Sequence, residues 1–160
     1  MTVITHARRK SRLAKMIDSA GGITVGVALT RARKNIAALR ERGVAEVTRH
    51  IDDLVAIEKP GDDEATIRTL QQIYRSANHV IDSAHPFDMD DVCAVAISVC
   101  DMVDRASADA AAFDWRIMTV HIQSLRLLNA LPADAAAERA QVTTHLSQMV
   151  AKKFGKPDSS

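Results

Sequence analysis

Apolar residues recur along most of this chain in steps of four and three, and nowhere alternate with period two for long enough to form a strand. That pattern confines the chain to helices. Val25, Leu29, Ala32, Ile36 and Leu39 open one such line, which resumes as Val44, Val47, Ile51 and Leu54 after a five-residue step at Gly43. We read one helix from a Thr24 N-cap to about Ile57, with Gly43 as the place for a bend, since glycine there costs roughly 1 kcal/mol against alanine. At 1.5 Å per residue it would run to about 50 Å, longer than its expected partners.

Lys59-Pro60-Gly61 ends that helix, and Asp62 or Asp63 is the expected cap of a second one with core positions Ile67, Leu70, Tyr74, Ala77, Ile81 and Ala84. Pro86 closes it, and Asp88 is placed to cap a third, carrying Val92, Val95, Ala96, Val99 and Val103. Small and polar residues from Ala106 to Phe113 read as a loop into Asp114, the cap of a fourth helix with Trp115, Met118, Ile122, Leu125 and Leu128. Pro132 sets off a last helix holding Val142, Leu146, Met149, Val150 and Phe154. Aromatic residues make up only 3% of the chain, so Ala, Val, Ile and Leu must build the core, which favours close helix packing over sheet. Short connections favour antiparallel neighbours. The expected fold is all-α: a four-helix-bundle-like core with an additional helix and a long first helix.

At 160 residues the chain suits one core better than two. We expect one helical domain over residues 1–155, with 1–20 a loosely attached segment containing a short helix from Ser11 to Ser19, and a disordered tail over 156–160. No apolar run reaches the ~20 residues of a membrane helix, and the basic N-terminus lacks the apolar stretch of a secretory signal, so a cytoplasmic protein without membrane contact is expected.

Residues able to carry chemistry are few. His79 lies about 180° around its helix from the line of Leu70, Tyr74, Ala77 and Ile81, and should face solvent near the turn into the next helix. Such a histidine is what a histidine phosphotransfer domain presents, in a His-x-x-Lys-Gly pattern. Asp82 and Ser83 stand at the last two positions here, and a carboxylate would repel a phosphoryl group. Arg75, one turn earlier, could compensate in part. A solvated surface histidine explains the same position without phosphate chemistry.

His50, His121 and His145 with Cys93 and Cys100 raise a zinc site, yet no two of them have the short ligand spacing that structural zinc requires. Cys93 and Cys100 are roughly 10 Å apart along one helix, too far to join, and read as small core residues. The carboxylate pairs Asp62-Asp63 and Asp90-Asp91 fall in first helical turns, where the helix dipole accounts for them. No phosphate loop, nucleophile elbow or di-iron Glu-x-x-His pair is present. We therefore expect no metal, no cofactor and no enzymatic activity. With 21 basic and 20 acidic residues the formal net charge is +1, which argues against a nucleic-acid partner, as does the lack of aromatics to stack bases.

Three stretches, SRLAKMIDSAGGITVGVAL, IYRSANHVIDSAHPFDMDDV and VCDMVD followed by WRIMTVHIQSLRLL, resemble the small CheE-type proteins of alphaproteobacterial chemotaxis operons. They span roughly residues 10 to 130. The resemblance implies a place near the chemotaxis kinase and its response regulators, and brings no catalytic residue with it. The middle stretch is also similar to a phosphotransfer hairpin that has lost its Lys and Gly. The expected function is a non-enzymatic helical accessory of two-component signalling that binds a response regulator or kinase domain through Gln72, Arg75, Ser76, His79, Asp82 and Ser83. The alternatives are an active phosphotransfer protein using His79, and a structural homodimer paired through the apolar stripe of the first helix.

Overall fold

A computed structural model describes residues 21–61, 63–108 and 113–155. They form five α-helices: α1 (Val25–Val55), α2 (Asp63–Ala84), α3 (Asp90–Ala108), α4 (Trp115–Ala130) and α5 (Ala136–Phe154). A 3-10 turn, His85–Phe87, joins α2 to α3, and there is no strand among the described residues. The fold is all-α with bundle-like packing. The short helix expected over Ser11 to Ser19 and the tail after Gly155 lie outside the described residues.

Contacts along the chain divide it within α1, into Met1–Asn35 and Ile36–Ser160. In the larger unit α3 is central: it packs against α2, α4 and α5, and nine of its residues are buried. Side-chain neighbours run in opposite directions along α2 and α3, Cys93 lying by Ile81 and Cys100 by Tyr74, so the two form an antiparallel hairpin. Both cysteines are buried free thiols, as core residues should be. Val47, Ile51 and Leu54 bring the second half of α1 into the same core.

The caps follow local chemistry. Thr24 Oγ1 accepts from Val27 N at 3.4 Å, and Asp114 Oδ1 accepts from Arg116 N at 2.9 Å, both as the sequence indicates. Asp88 departs from expectation. It adopts φ 59° as the residue that follows and caps the 3-10 turn, and α3 begins two residues later at Asp90. A short carboxylate side chain tolerates that left-handed backbone better than most. Helix α3 runs to Ala108, so Ala106, Ser107 and Ala108 of the expected loop are helical, and residues 109–112 lie outside the described residues.

Helix α2 also differs. Its buried residues are Leu70, Ile73, Ala77, Val80 and Ala84, while Ile67 is exposed, Tyr74 is exposed at 37% and Ile81 is half-buried. The core-facing line is therefore rotated by roughly 50° from the one the apolar spacing selects. The rotation buries Ile73 and Val80, both wholly apolar, and leaves outside Tyr74, whose hydroxyl would need a hydrogen-bond partner if buried.

Gly43 marks no helix break. The α1 helix continues through it, and a Cβ there would fall inside the Phe87 ring. Glycine is required because the aromatic ring, 9% exposed, lies directly on the α1 backbone. Arg40 secures the contact by donating to Phe87 O at 3.0 Å.

Candidate functional site

The six residues singled out from the sequence share one face of α2. Gln72, Arg75, His79 and Asp82 are exposed, with Ser76 and Ser83 half-buried between them. Their spacing of 3, 1, 3, 3 and 1 confines them to about a third of the helix circumference, opposite Leu70, Ala77 and Ala84. The rotation of the core line leaves this face outside.

Its edge is completed by α1. The His50 ring lies 5.2 Å from the His79 ring, centroid to centroid, at an angle of 52°. Behind them Arg49 is held twice by carboxylates, Nε to Glu46 Oε2 at 3.0 Å and Nη1 to Asp53 Oδ2 at 2.9 Å. Its Nη2 donates to His50 Nε2 at 3.1 Å, an arrangement that suits a neutral imidazole. Burial lowers the His50 pKa first, and the charge of Arg49 and the neighbouring His79 add to the effect, against Glu46 and Asp53. The patch thus combines two imidazoles, a clamped guanidinium and the carboxylate of Asp82.

Arg75 and His79 have different neighbours. His79 is beside α1, whereas Arg75 lines a shallow groove of about 310 Å³ with Tyr74, Val103 and Asp104. Asp82 remains one turn from His79 on the exposed side.

A groove of about 540 Å³ is lined by Arg40, Asp88, Asp91, Asn129 and Arg139 among others. Two of its charges pair with each other. Arg139 reaches Asp91 with two nitrogens, Nη2 to Oδ1 at 2.9 Å, and its Nη1 donates to Leu128 O at 2.8 Å and Leu131 O at 2.9 Å. One side chain therefore ties α5 to the start of α3 and the end of α4. Burial alone would raise the Asp91 carboxyl, but the hydrogen bonds from Arg139 and the Val92 amide hold it below the usual carboxylate range. The sequence reading missed this staple, and nothing in the spacing of residues 91 and 139 signals it.

His121 lies on the core-facing side of α4 with Met118, Ile122, Leu125 and Leu128. It is fully buried. Its Nδ1 donates to Ile117 O at 2.9 Å, and its Nε2 has no partner among the described residues. Burial lowers its pKa, opposed by the bond to Ile117. His145 is exposed, and no three His, Cys, Asp or Glu side chains of the described residues converge on a metal position. Burial, with Asp101 and Asp104 adding to it, pushes the Cys100 thiol up to about 11, so it is held as the unreactive thiol. No helix of the described residues is long and apolar enough to cross a membrane.

Compared with protein-family models, curated proteins and solved structures, the chain matches none.

Proposed function

We propose that this chain is a non-enzymatic helical accessory of bacterial chemotaxis or two-component signalling, docking on a response regulator or kinase domain through the outward face of α2. The observation that supports it most is the gathering of Gln72, Arg75, Ser76, His79, Asp82 and Ser83 on one solvent-facing helix surface, edged by His50 and Arg49 of α1. Helix faces of this kind dock without needing a pocket. A calorimetric titration against the chemotaxis response regulators of the source organism, each with and without a phosphoryl mimic, tests it. Saturable binding weakened by Arg75→Glu or His79→Ala supports the reading; no binding to any regulator in either state removes it.

Phosphotransfer through His79 is the second reading, supported by the exposure of that ring beside a second imidazole. Asp82 one turn away opposes a bound phosphoryl group. Replacing it with lysine should raise any phosphotransfer, so an inert Asp82→Lys protein in a radiolabelled-phosphate assay eliminates this reading and leaves the docking one standing.

A further inference from the structure

The near-zero net charge conceals a sharp division. Residues 1–35 carry eight Lys or Arg and one Asp, net +7, whereas residues 36–160 carry thirteen basic and nineteen acidic residues, net −6. The boundary is also where the contacts divide the chain.

Within the first unit, residues 25–35 are helical, and their apolar side chains lie in water: Val25 is 76% exposed and Leu29 is 53% exposed. At 100° per residue, Val25, Ala28, Leu29 and Ala32 occupy one stripe about 100° wide. Arg33 borders it on one side and Arg31 on the other, with Lys34 opposite, and residues 21–35 contain no acidic side chain. Val25, Leu29 and Ala32 follow the four-three spacing of a coiled-coil seam, with arginines at its margins where interhelical ion pairs form.

We infer that this segment is a docking site for an acidic amphipathic helix of another protein, packed on the Val25–Leu29–Ala32 stripe with its carboxylates against Arg31 and Arg33. Charge decides the occupant. A second copy of the same segment would set one cationic unit against another. Nucleic acid would satisfy the arginines but leave Val25 and Leu29 unburied. A lipid surface calls for the large Trp, Phe or Leu side chains of interfacial helices, and this stripe has Val, Leu and two Ala. A helix with small-to-medium apolar knobs and acidic flanks answers both features. The site is independent of the α2 face.

The test uses the full chain and a fluorescently labelled four-heptad peptide with Ile and Leu in its seam and Glu at the flanking positions, read by anisotropy. A matched peptide with Lys at those positions is the control. The expected result is saturable binding of the acidic peptide, weakened at least tenfold by Leu29→Asp and by the double change Arg31→Glu with Arg33→Glu, and no binding of the lysine peptide. Leu29 and both arginines are exposed, so the variants should keep the wild-type circular dichroism. The inference is overturned by no binding of the acidic peptide, equal binding of both peptides, binding indifferent to Leu29→Asp, or capture by phosphatidylglycerol vesicles or single-stranded DNA in place of the peptide. A dimer in light scattering that Leu29→Asp dissolves would assign the stripe to a second copy and likewise overturn it.

Discussion

Replacing His121 with methionine should stabilise the protein, and by more in acid than at neutral pH. In the native state the ring is fully buried, Nδ1–H donates to Ile117 O, and Nε2 has no partner among the described residues. A second proton would have to be placed on Nε2, where nothing accepts a hydrogen bond. The folded-state pKa is therefore depressed, while the unfolded chain titrates near 6.5. The unfolded state then binds more protons below that value, so stability falls as pH falls. With no proton taken up by the fold, the loss between pH 7.5 and 5.5 reaches an upper limit of about 1.4 kcal/mol.

Methionine removes this linkage and the orphaned nitrogen, whose burial costs about 1–3 kcal/mol, against the loss of one hydrogen bond of about 1 kcal/mol. The variant should be more stable by roughly 1 kcal/mol at pH 7.5 and by up to about 1.4 kcal/mol more at pH 5.5. His50 is also depressed and contributes with the same sign, so the comparison belongs in a His50→Gln background. Urea unfolding followed by far-ultraviolet circular dichroism at the two pH values measures the difference. If the gap between variant and parent is the same at both, His121 is not the proton-excluding group and the reasoning fails.

Three other outcomes follow from the packing. Gly43→Ala should destabilise by about 1–3 kcal/mol through collision with Phe87, although helix propensity alone predicts a gain of about 1 kcal/mol; thermal melts give the sign. Arg139→Ala should cost about 2–4 kcal/mol in urea unfolding, because Asp91 is left half-buried without its partner and the Leu128 and Leu131 carbonyls lose their donor. The Asp91 contribution is present above the normal carboxylate pKa and is lost as pH drops below about 4, so the gap between Arg139→Ala and parent should narrow in acid. Cys93 and Cys100 should react with a disulfide reagent only on the timescale of unfolding, since both are buried and burial raises both thiols; rapid labelling of either in the native protein would contradict their placement.

The long helices and two of their caps were legible because they depend on local chemistry: Thr24 and Asp114 accept from amides two or three residues ahead, and the four-three spacing marks each helix. The facing of α2 was legible only to within about 50°, since Tyr74 and Ile73 are both apolar to a periodicity count, and the neighbouring helix chooses between them. Gly43 read as a slip because its requirement comes from Phe87, 44 positions away in sequence. The same holds for Arg139 with Asp91 and for His50 with His79: pairs on separate helices leave no mark in spacing. Whole-chain charge was misleading for a simpler reason, because the two units have opposite signs that cancel.

The proposed α2 docking face is tested most directly by amide chemical-shift mapping of the isotope-labelled protein as each chemotaxis response regulator is added. The account predicts shifts concentrated at Gln72, Arg75, Ser76, His79, Asp82 and Ser83, extending to Arg49 and His50. Shifts confined to α5 or to the Arg139 groove, with the α2 face silent, would contradict it.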